Sequence, residues 1–106
     1  MYHCLSDKPR SECKDLKLLP DPEAKKLALI AHALSDPIRI QMIHLLGQSK
    51  DLCTCEFEEL LGLSQSKVSY HLKKLLEAGI VNRQLFGTWS HYVLADKTVL
   101  DRVKAL

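Results

Sequence analysis

The sequence predicts a mainly α-helical fold that contains one small β-hairpin, in the order ααααββα. Apolar residues recur at helical spacing in successive segments before and after the hairpin. The tight turn Gly62-Leu63-Ser64 joins the third and fourth helices, and this arrangement is typical of a helix-turn-helix. Two short predicted strands, about 80–85 and 90–94, flank the turn Phe86-Gly87-Thr88 and complete a winged helix-turn-helix.

The first two helices are marked by prolines at their starts. Pro22 lies near the first position of helix 1, which is predicted at roughly 22–34. Asp36 suits the cap of helix 2, and Pro37 suits its first helical position. Helix 2 is heavily apolar and is expected to end at Gly47.

The remaining helices are bounded by glycines and capping residues. Helix 3 is expected to begin near Cys53–Cys55 and to end at Gly62, with three side chains directed inward, Phe57, Leu60 and Leu61. Ser64 is the predicted cap of helix 4, which ends at Gly79 and has a buried stripe of Val68, Leu72, Leu75 and Leu76. A last helix is expected to start at Asp96.

The chain length predicts one small domain with a modest core, since the sequence has 106 residues. Residues 1–20 are polar and are expected to form a flexible arm, followed by a DNA-binding and dimerisation domain over 21–106. The apolar faces of helix 1 and the last helix have too little core to cover them in a monomer. We therefore expect a homodimer whose interface comprises Leu27, Ile30, Leu34, Val99, Leu100 and Val103.

Composition argues against a membrane or secreted protein. No apolar run approaches the ~18–20 residues that span a bilayer, and residues 1–15 lack the apolar region of a secretory signal. We therefore expect a cytoplasmic protein without a membrane partner. The four cysteines should then remain reduced and free to act as thiolate ligands, at Cys4, Cys13, Cys53 and Cys55.

Helix 4 carries a polar face suited to DNA. Residues 47–63 have a charge of −3, whereas residues 64–92 have a charge of +3, which can face phosphate. The side chains expected to face away from the core are Gln65, Ser66, Ser69, Tyr70 and Lys73. Glutamine and serine suit base edges, and basic side chains suit phosphates, here Lys67, Lys73 and Lys74, with Arg83 in the wing. His71 beside the core stripe is expected to pack or hydrogen-bond rather than bind metal.

These residues resemble the ArsR/SmtB family of metal-responsive winged-helix repressors. The resemblance covers residues 33–94 and is carried by LSDPIRIQMIHLL (34–46), LCTCEFEELLGLSQSKVSYHLKKLLEAGIV (52–81) and GTWSHYVL (87–94). It implies a homodimer that binds a roughly palindromic operator in double-stranded DNA and represses a resistance operon. The family's DNA contacts would fall on Gln65, Ser66, Ser69 and Tyr70.

The candidate sensor is the pair Cys53 and Cys55 at the start of helix 3. Thiolates select soft or borderline ions, and this pair resembles the family's Leu-Cys-x-Cys sequence. Residues two apart on a regular helix point ~200° from each other. Both sulfurs can therefore bind one ion only if the helix start is irregular or unwinds, and ion binding is expected to strain helix 3.

The resemblance leaves the third ligand and the ion open. Glu58 occupies the position of a third cysteine in some arsenic-sensing members, whereas cadmium- and lead-sensing members use N-terminal cysteines, which here would be Cys4 and Cys13. Trivalent arsenic or antimony is favoured, because a pyramidal site needs only Cys53, Cys55 and one arm cysteine. Cadmium, lead or zinc remains the alternative. A second family site on the last helix is expected to be absent, since Thr98 replaces its histidine.

Two other functional classes compete with a metal-responsive repressor. A DNA-binding regulator could hold a structural zinc, or the same thiols could sense redox state. An enzyme with a small-molecule substrate is not expected, because the thiol spacing is CxC rather than CxxC. The chain also lacks a Gly-rich phosphate loop and paired catalytic carboxylates.

Overall fold

The structure, a computed structural model, describes residues 15–106. The helices and strands follow one another in the order ααβααββα. Their bounds are α1 Asp21–Ala33, α2 Pro37–Gln48, β1 Leu52–Cys53, α3 Thr54–Leu61, α4 Gln65–Glu77, β2 Val81–Phe86, β3 Trp89–Leu94 and α5 Val99–Lys104. The predicted helix-turn-helix, formed by α3 and α4, and the hairpin wing, formed by β2 and β3, are both present. Among the helices described, none combines the length and apolar character that a membrane span requires.

Local capping interactions explain where the central helices begin and end. The Asp36 carboxylate accepts a hydrogen bond from the Ile38 backbone N–H at 2.7 Å, so the predicted cap of α2 is confirmed. The Ser64 hydroxyl accepts one from the Lys67 backbone N–H at 3.3 Å at the start of α4. Gly62 ends α3 with a φ of 65°, a conformation that residues with a Cβ adopt only with strain.

The core lies where α2, α3 and α4 meet the base of the hairpin. Its fully buried side chains are Met42, Ile43, Leu46, Phe57, Val68, Leu72, Leu75 and Val81. The predicted buried stripe of α4 is therefore confirmed at three positions, and Leu76 is half-buried. Leu60 was wrongly expected inside: its side chain is 58% exposed, because the eight-residue α3 buries only the narrow face centred on Phe57.

The sheet has a third strand that the predicted order omitted. Strand β1 pairs antiparallel with β3, which also pairs with β2, so the strand order is β1-β3-β2. Leu52 lies opposite Tyr92, and Cys53 lies opposite His91. Two residues are too few to show the alternating pattern of a strand, and β1 exists because β3 offers it a free edge.

The last helix starts three residues later than predicted. The Asp96 carboxylate accepts hydrogen bonds from the Thr98 backbone N–H at 2.8 Å and from the Thr98 hydroxyl at 2.6 Å. These bonds stabilise a turn rather than the first turn of a helix, and α5 begins only at Val99. Helix α2 likewise extends one residue beyond the predicted end, to Gln48.

Candidate functional site

The two central cysteines lie at the junction between β1 and α3. Cys53 is the last residue of β1 and the N-cap of α3, with the extended dihedral angles φ −90° and ψ 167°, and Cys55 lies in the first helical turn. This geometry brings the two Sγ atoms to 2.7 Å from each other. The start of α3 is therefore irregular, because Cys53 precedes the first helical residue, and the two sulfurs lie side by side without unwinding of α3.

Glu56 holds this junction in place. Its carboxylate Oε1 accepts a hydrogen bond from the Cys53 backbone N–H at 2.9 Å. A glutamate three residues after a cap, with its side chain turned back to the cap, is half of a capping box. The sequence contains the spacing of a capping box, Cys53-x-x-Glu56, but the motif is usually recognised by a serine or threonine at the cap, and here the cap is a cysteine.

The Cys53 thiol is protonated near neutral pH. Burial, followed by the hydrogen bond with the Cys55 thiol, raises the pKa of Cys53 to about 11. The thiolate is the form that binds metal. An ion that bound this pair would therefore have to displace a proton from Cys53, and its binding free energy would include the cost of that deprotonation.

The thiol pair opens into a cleft beneath the wing. The cleft has a volume of about 310 Å³, and it is lined by Cys53, Thr54, Cys55, Glu58, Gln65, Thr88, Trp89 and Ser90. It brings together the thiols, the first residue of α4 and the turn-proximal end of β3. Sequence analysis did not find this arrangement, because no local pattern records the fold of the wing over α3.

The other two proposed metal ligands are the cysteines near the N-terminus. Cys4 and Cys13 lie outside the described residues. Within residues 15–106, no group of three or more histidine, cysteine, aspartate or glutamate side chains is placed to hold a metal ion. Glu58 lines the cleft, and the resemblance places it where some arsenic-sensing members have a third cysteine.

The outer face of α4 presents the side chains predicted to meet DNA. The exposed ones are Gln65, Ser66, Lys67, Ser69, Tyr70 and Lys73, and Arg83 is exposed on β2. Lys74 is half-buried, with its ammonium 5.5 Å from the centre of the Tyr70 ring. His71 is buried and its Nδ1 lies 3.0 Å from a guanidinium nitrogen of Arg39, so its predicted hydrogen-bonding role is confirmed.

An apolar groove separates α1 from α5. Its volume is about 450 Å³, and five of the six predicted interface residues line it, Leu27, Ile30, Leu34, Val99 and Val103. The Leu27 side chain is 53% exposed in the single chain. Leu100 instead borders a separate cavity against Ile43 and Gly47 of α2, so it lies on the other side of α5.

Comparison with known proteins places the chain in a family. The profile of the bacterial regulatory protein arsR family matches residues 36–83, from the start of α2 into β2. An arsenical resistance operon repressor of Bacillus subtilis is 42% identical over 67 residues, which are 63% of this chain and 64% of the relative. The match thus spans less than two thirds of that relative's length.

A second relative and a solved structure extend the comparison. An HTH-type transcriptional regulator of Methanocaldococcus jannaschii is 35% identical over 80 residues, covering 76% of this chain and 90% of the relative. A homodimeric winged helix-turn-helix DNA-binding domain of Mycobacterium bovis has a TM-score of 0.73 at 22% identity, over 85% of this chain and 88% of that one. The sequence matches and the shared winged fold together show that this chain belongs to the arsR family of bacterial regulatory proteins.

Proposed function

We propose that the protein is a transcriptional repressor that binds operator DNA as a homodimer and leaves it when a thiophilic ion binds Cys53 and Cys55. One observation carries the proposal. Two thiols 2.7 Å apart lie in a single cleft with Gln65 of α4 and with the wing. The proposed ion site and the DNA-binding elements therefore border the same cleft.

The surface of α4 supports DNA binding. Its exposed face combines amide and hydroxyl groups near the N-terminal end with lysines further along. Amides and hydroxyls can pair with base edges in the major groove, whereas lysines neutralise phosphates. We infer that α4 enters the major groove and that Arg83 of the wing contacts the flanking backbone.

The geometry of the thiols supports a route from ion to DNA. A tetrahedral ion with sulfur bonds of about 2.3 Å, such as the zinc of the alternative, holds its ligands about 3.8 Å apart. The Cys53 and Cys55 sulfurs lie closer than this without an ion, so an ion bonded to both moves them apart. The surrounding cleft must accommodate this separation, and Gln65, Thr88 and Trp89 line it. Release then follows if the ion binds the DNA-free arrangement more tightly than the DNA-bound one. This route replaces the expected unwinding of α3.

The third ligand and the ion are also proposed. Trivalent arsenic or antimony needs three sulfurs, and we propose that Cys4 or Cys13 of the arm supplies the third through the open side of the cleft. Relatives with arsenical resistance in their names support this choice. Cadmium, lead or zinc, with both arm cysteines as ligands, is the alternative.

Titration of the protein–operator complex with arsenite, antimonite, cadmium, lead and zinc tests the proposal. Trp89 is the chain's only tryptophan and borders the thiols, so its fluorescence reports ion binding in the same sample. We expect DNA release to follow the fluorescence change for arsenite and antimonite. Zinc binding with no release would instead support a structural zinc, and release by an oxidant alone would support a redox sensor.

Substitutions on α4 are expected to separate base contacts from phosphate contacts. Gln65→Ala and Ser69→Ala should each lower the preference for operator over random DNA by about 1–3 kcal/mol, the usual value of a base contact. Lys73→Ala should weaken binding to every sequence and reduce the salt dependence by about one unit of slope. Fluorescence anisotropy with both DNAs over a range of salt concentrations measures these effects.

Lys25→Ala provides a matched control for the lysine substitution. Lys25 is an exposed α1 residue whose ammonium lies 3.1 Å from the Asp21 carboxylate. Lys25→Ala should leave the affinity for DNA and the slope of its salt dependence unchanged. An unaltered operator preference in Gln65→Ala would show that α4 is placed wrongly on the DNA.

A further inference from the structure

A buried arginine connects three helices of the fold. Arg39 of α2 is only 5% exposed. Its Nε donates to the Ala33 carbonyl at 2.7 Å, and one terminal nitrogen donates to the His32 carbonyl at 3.4 Å. The other terminal nitrogen lies 3.0 Å from Nδ1 of His71 on α4. The guanidinium therefore joins the end of α1 to α4 from its position on α2.

The acceptors on α1 suit a cation. His32 and Ala33 belong to the last turn of α1, whose carbonyls carry the negative end of the helix dipole. The His32 carbonyl also accepts hydrogen bonds from the backbone N–H and the hydroxyl of Ser35, at 3.1 Å and 2.6 Å, so the closer bond of Arg39, to Ala33, is the more important one. A buried guanidinium is destabilising unless such acceptors surround it. Arg39 thus places a positive charge at the negative end of the α1 dipole, and its third contact, with His71, lies on α4.

The contact with His71 requires a neutral imidazole. The guanidinium has only donors, so Nδ1 must accept and Nε2 must carry the proton. Burial is the main cause that lowers the pKa of His71, and the nearby charges of Arg39 and Lys67 lower it too, whereas Asp36 raises it. Tyr70, the residue before His71, faces outward on the proposed DNA-binding side.

We propose that Arg39 is a positioning residue for operator binding, which fixes the recognition helix α4 relative to the dimerisation helix α1. The proposal rests on the DNA-binding homodimer described above. In such a dimer, the spacing of the two α4 helices depends on how each is held against its own α1. Apolar contacts between helices lack direction, whereas the forked guanidinium fixes both ends through directed hydrogen bonds.

Substitution of Arg39 tests this role. Arg39→Met removes the hydrogen-bond donors while the side chain keeps nearly the same length. The acceptors on α1 and α4 are then left without a partner, α4 is no longer held against α1, and we expect about a tenfold or greater loss of operator affinity. Affinity for random DNA and the dimeric state should persist. Arg39→Lys, which can meet one or two of the acceptors, should restore part of the operator preference.

The pH dependence of operator binding provides a readout that a general loss of stability would not produce. Burial lowers the pKa of His71 below its ordinary value of about 6.5, so the imidazole is still neutral and the contact intact at that pH. Operator affinity should therefore hold down to about pH 6.5 and decrease only as the pH falls further, through the lowered pKa of His71. Protonation of exposed histidines alone would instead strengthen binding to phosphate.

His71→Asn and His32→Gln complete the experiment. An asparagine side chain at this position would place its amide oxygen near the location of Nδ1, so His71→Asn should keep operator binding and abolish the acid loss. The His32 side chain is exposed and only its carbonyl meets Arg39, so His32→Gln should retain the loss.

Unchanged operator preference in Arg39→Met, or an unchanged acid profile in His71→Asn, would overturn the proposal. If Arg39→Met does not fold, His71→Asn decides. Absence of operator preference in the unmodified protein would contradict the proposed function instead.

Discussion

Replacement of Cys53 or Cys55 by serine is expected to leave operator binding intact and to abolish release by thiophilic ions. Serine is nearly isosteric with cysteine, but its hydroxyl is a hard, protonated group and a poor ligand for a soft ion. At position 53 the change also suits the fold. Serine is a preferred N-cap, and Glu56 already makes the reciprocal bond of a capping box at 2.9 Å. Operator release in titrations with arsenite, cadmium and lead measures the effect.

Single serine variants of the arm are the matched comparison. Cys4→Ser and Cys13→Ser should change the affinity or choice of ion while release persists for at least one ion, because in the proposed site they only add to the pair formed by Cys53 and Cys55. Thr54→Ala, between the two thiols, should release normally. Normal release of a Cys53→Ser, Cys55→Ser double variant by every ion tested would move the sensor elsewhere in the protein.

The proposed sensor residues were chosen from the sequence, but the geometry of the pair was not predictable from it. The spacing of Cys53 and Cys55 predicts a chelating pair, and helical periodicity alone places their sulfurs on opposite sides of α3. The structure brings them together because Cys53 is held in β1 by its pairing with His91. That pairing is a tertiary contact between residues 38 positions apart, which local periodicity does not encode.

The same distinction between local and tertiary effects applies to the fold. Capping and periodic apolar residues are local signals, and they predicted α2, α3, α4 and the hairpin to within a few residues. Strand β1 and the late start of α5 depend on interactions outside those patterns, an available sheet edge and a turn held by Asp96. Arg39 was likewise missed, because its sequence position does not reveal which helix ends it meets.

The groove between α1 and α5 shows how far an apolar pattern can predict a surface. Periodicity identified five residues that line it, and it included Leu100 because that residue is apolar and lies on the same short helix. The groove has exposed leucine at its rim and a large apolar floor, as in a face that meets a second copy of the chain. This arrangement supports the proposed homodimer.

Leu27→Glu is expected to convert the dimer into a monomer and to lower operator affinity by about 10²–10⁴-fold, the range over which linking two binding sites strengthens binding. The Leu27 side chain is 53% exposed in the single chain, so glutamate there remains solvated and the fold should survive. In the proposed dimer the same carboxylate would be buried in an apolar interface, at a high cost in free energy. Sedimentation and operator titration measure the two effects together.

Leu60→Glu is the control for this substitution. Leu60 is 58% exposed on α3, outside the groove, and the change introduces the same charge into a comparable surface position. It should leave the dimer intact. If Leu27→Glu still sediments as a dimer and retains its operator affinity, the two-fold interface does not lie at this groove. The two copies of α4 would then not be set one DNA turn, ~34 Å, apart by α1 and α5.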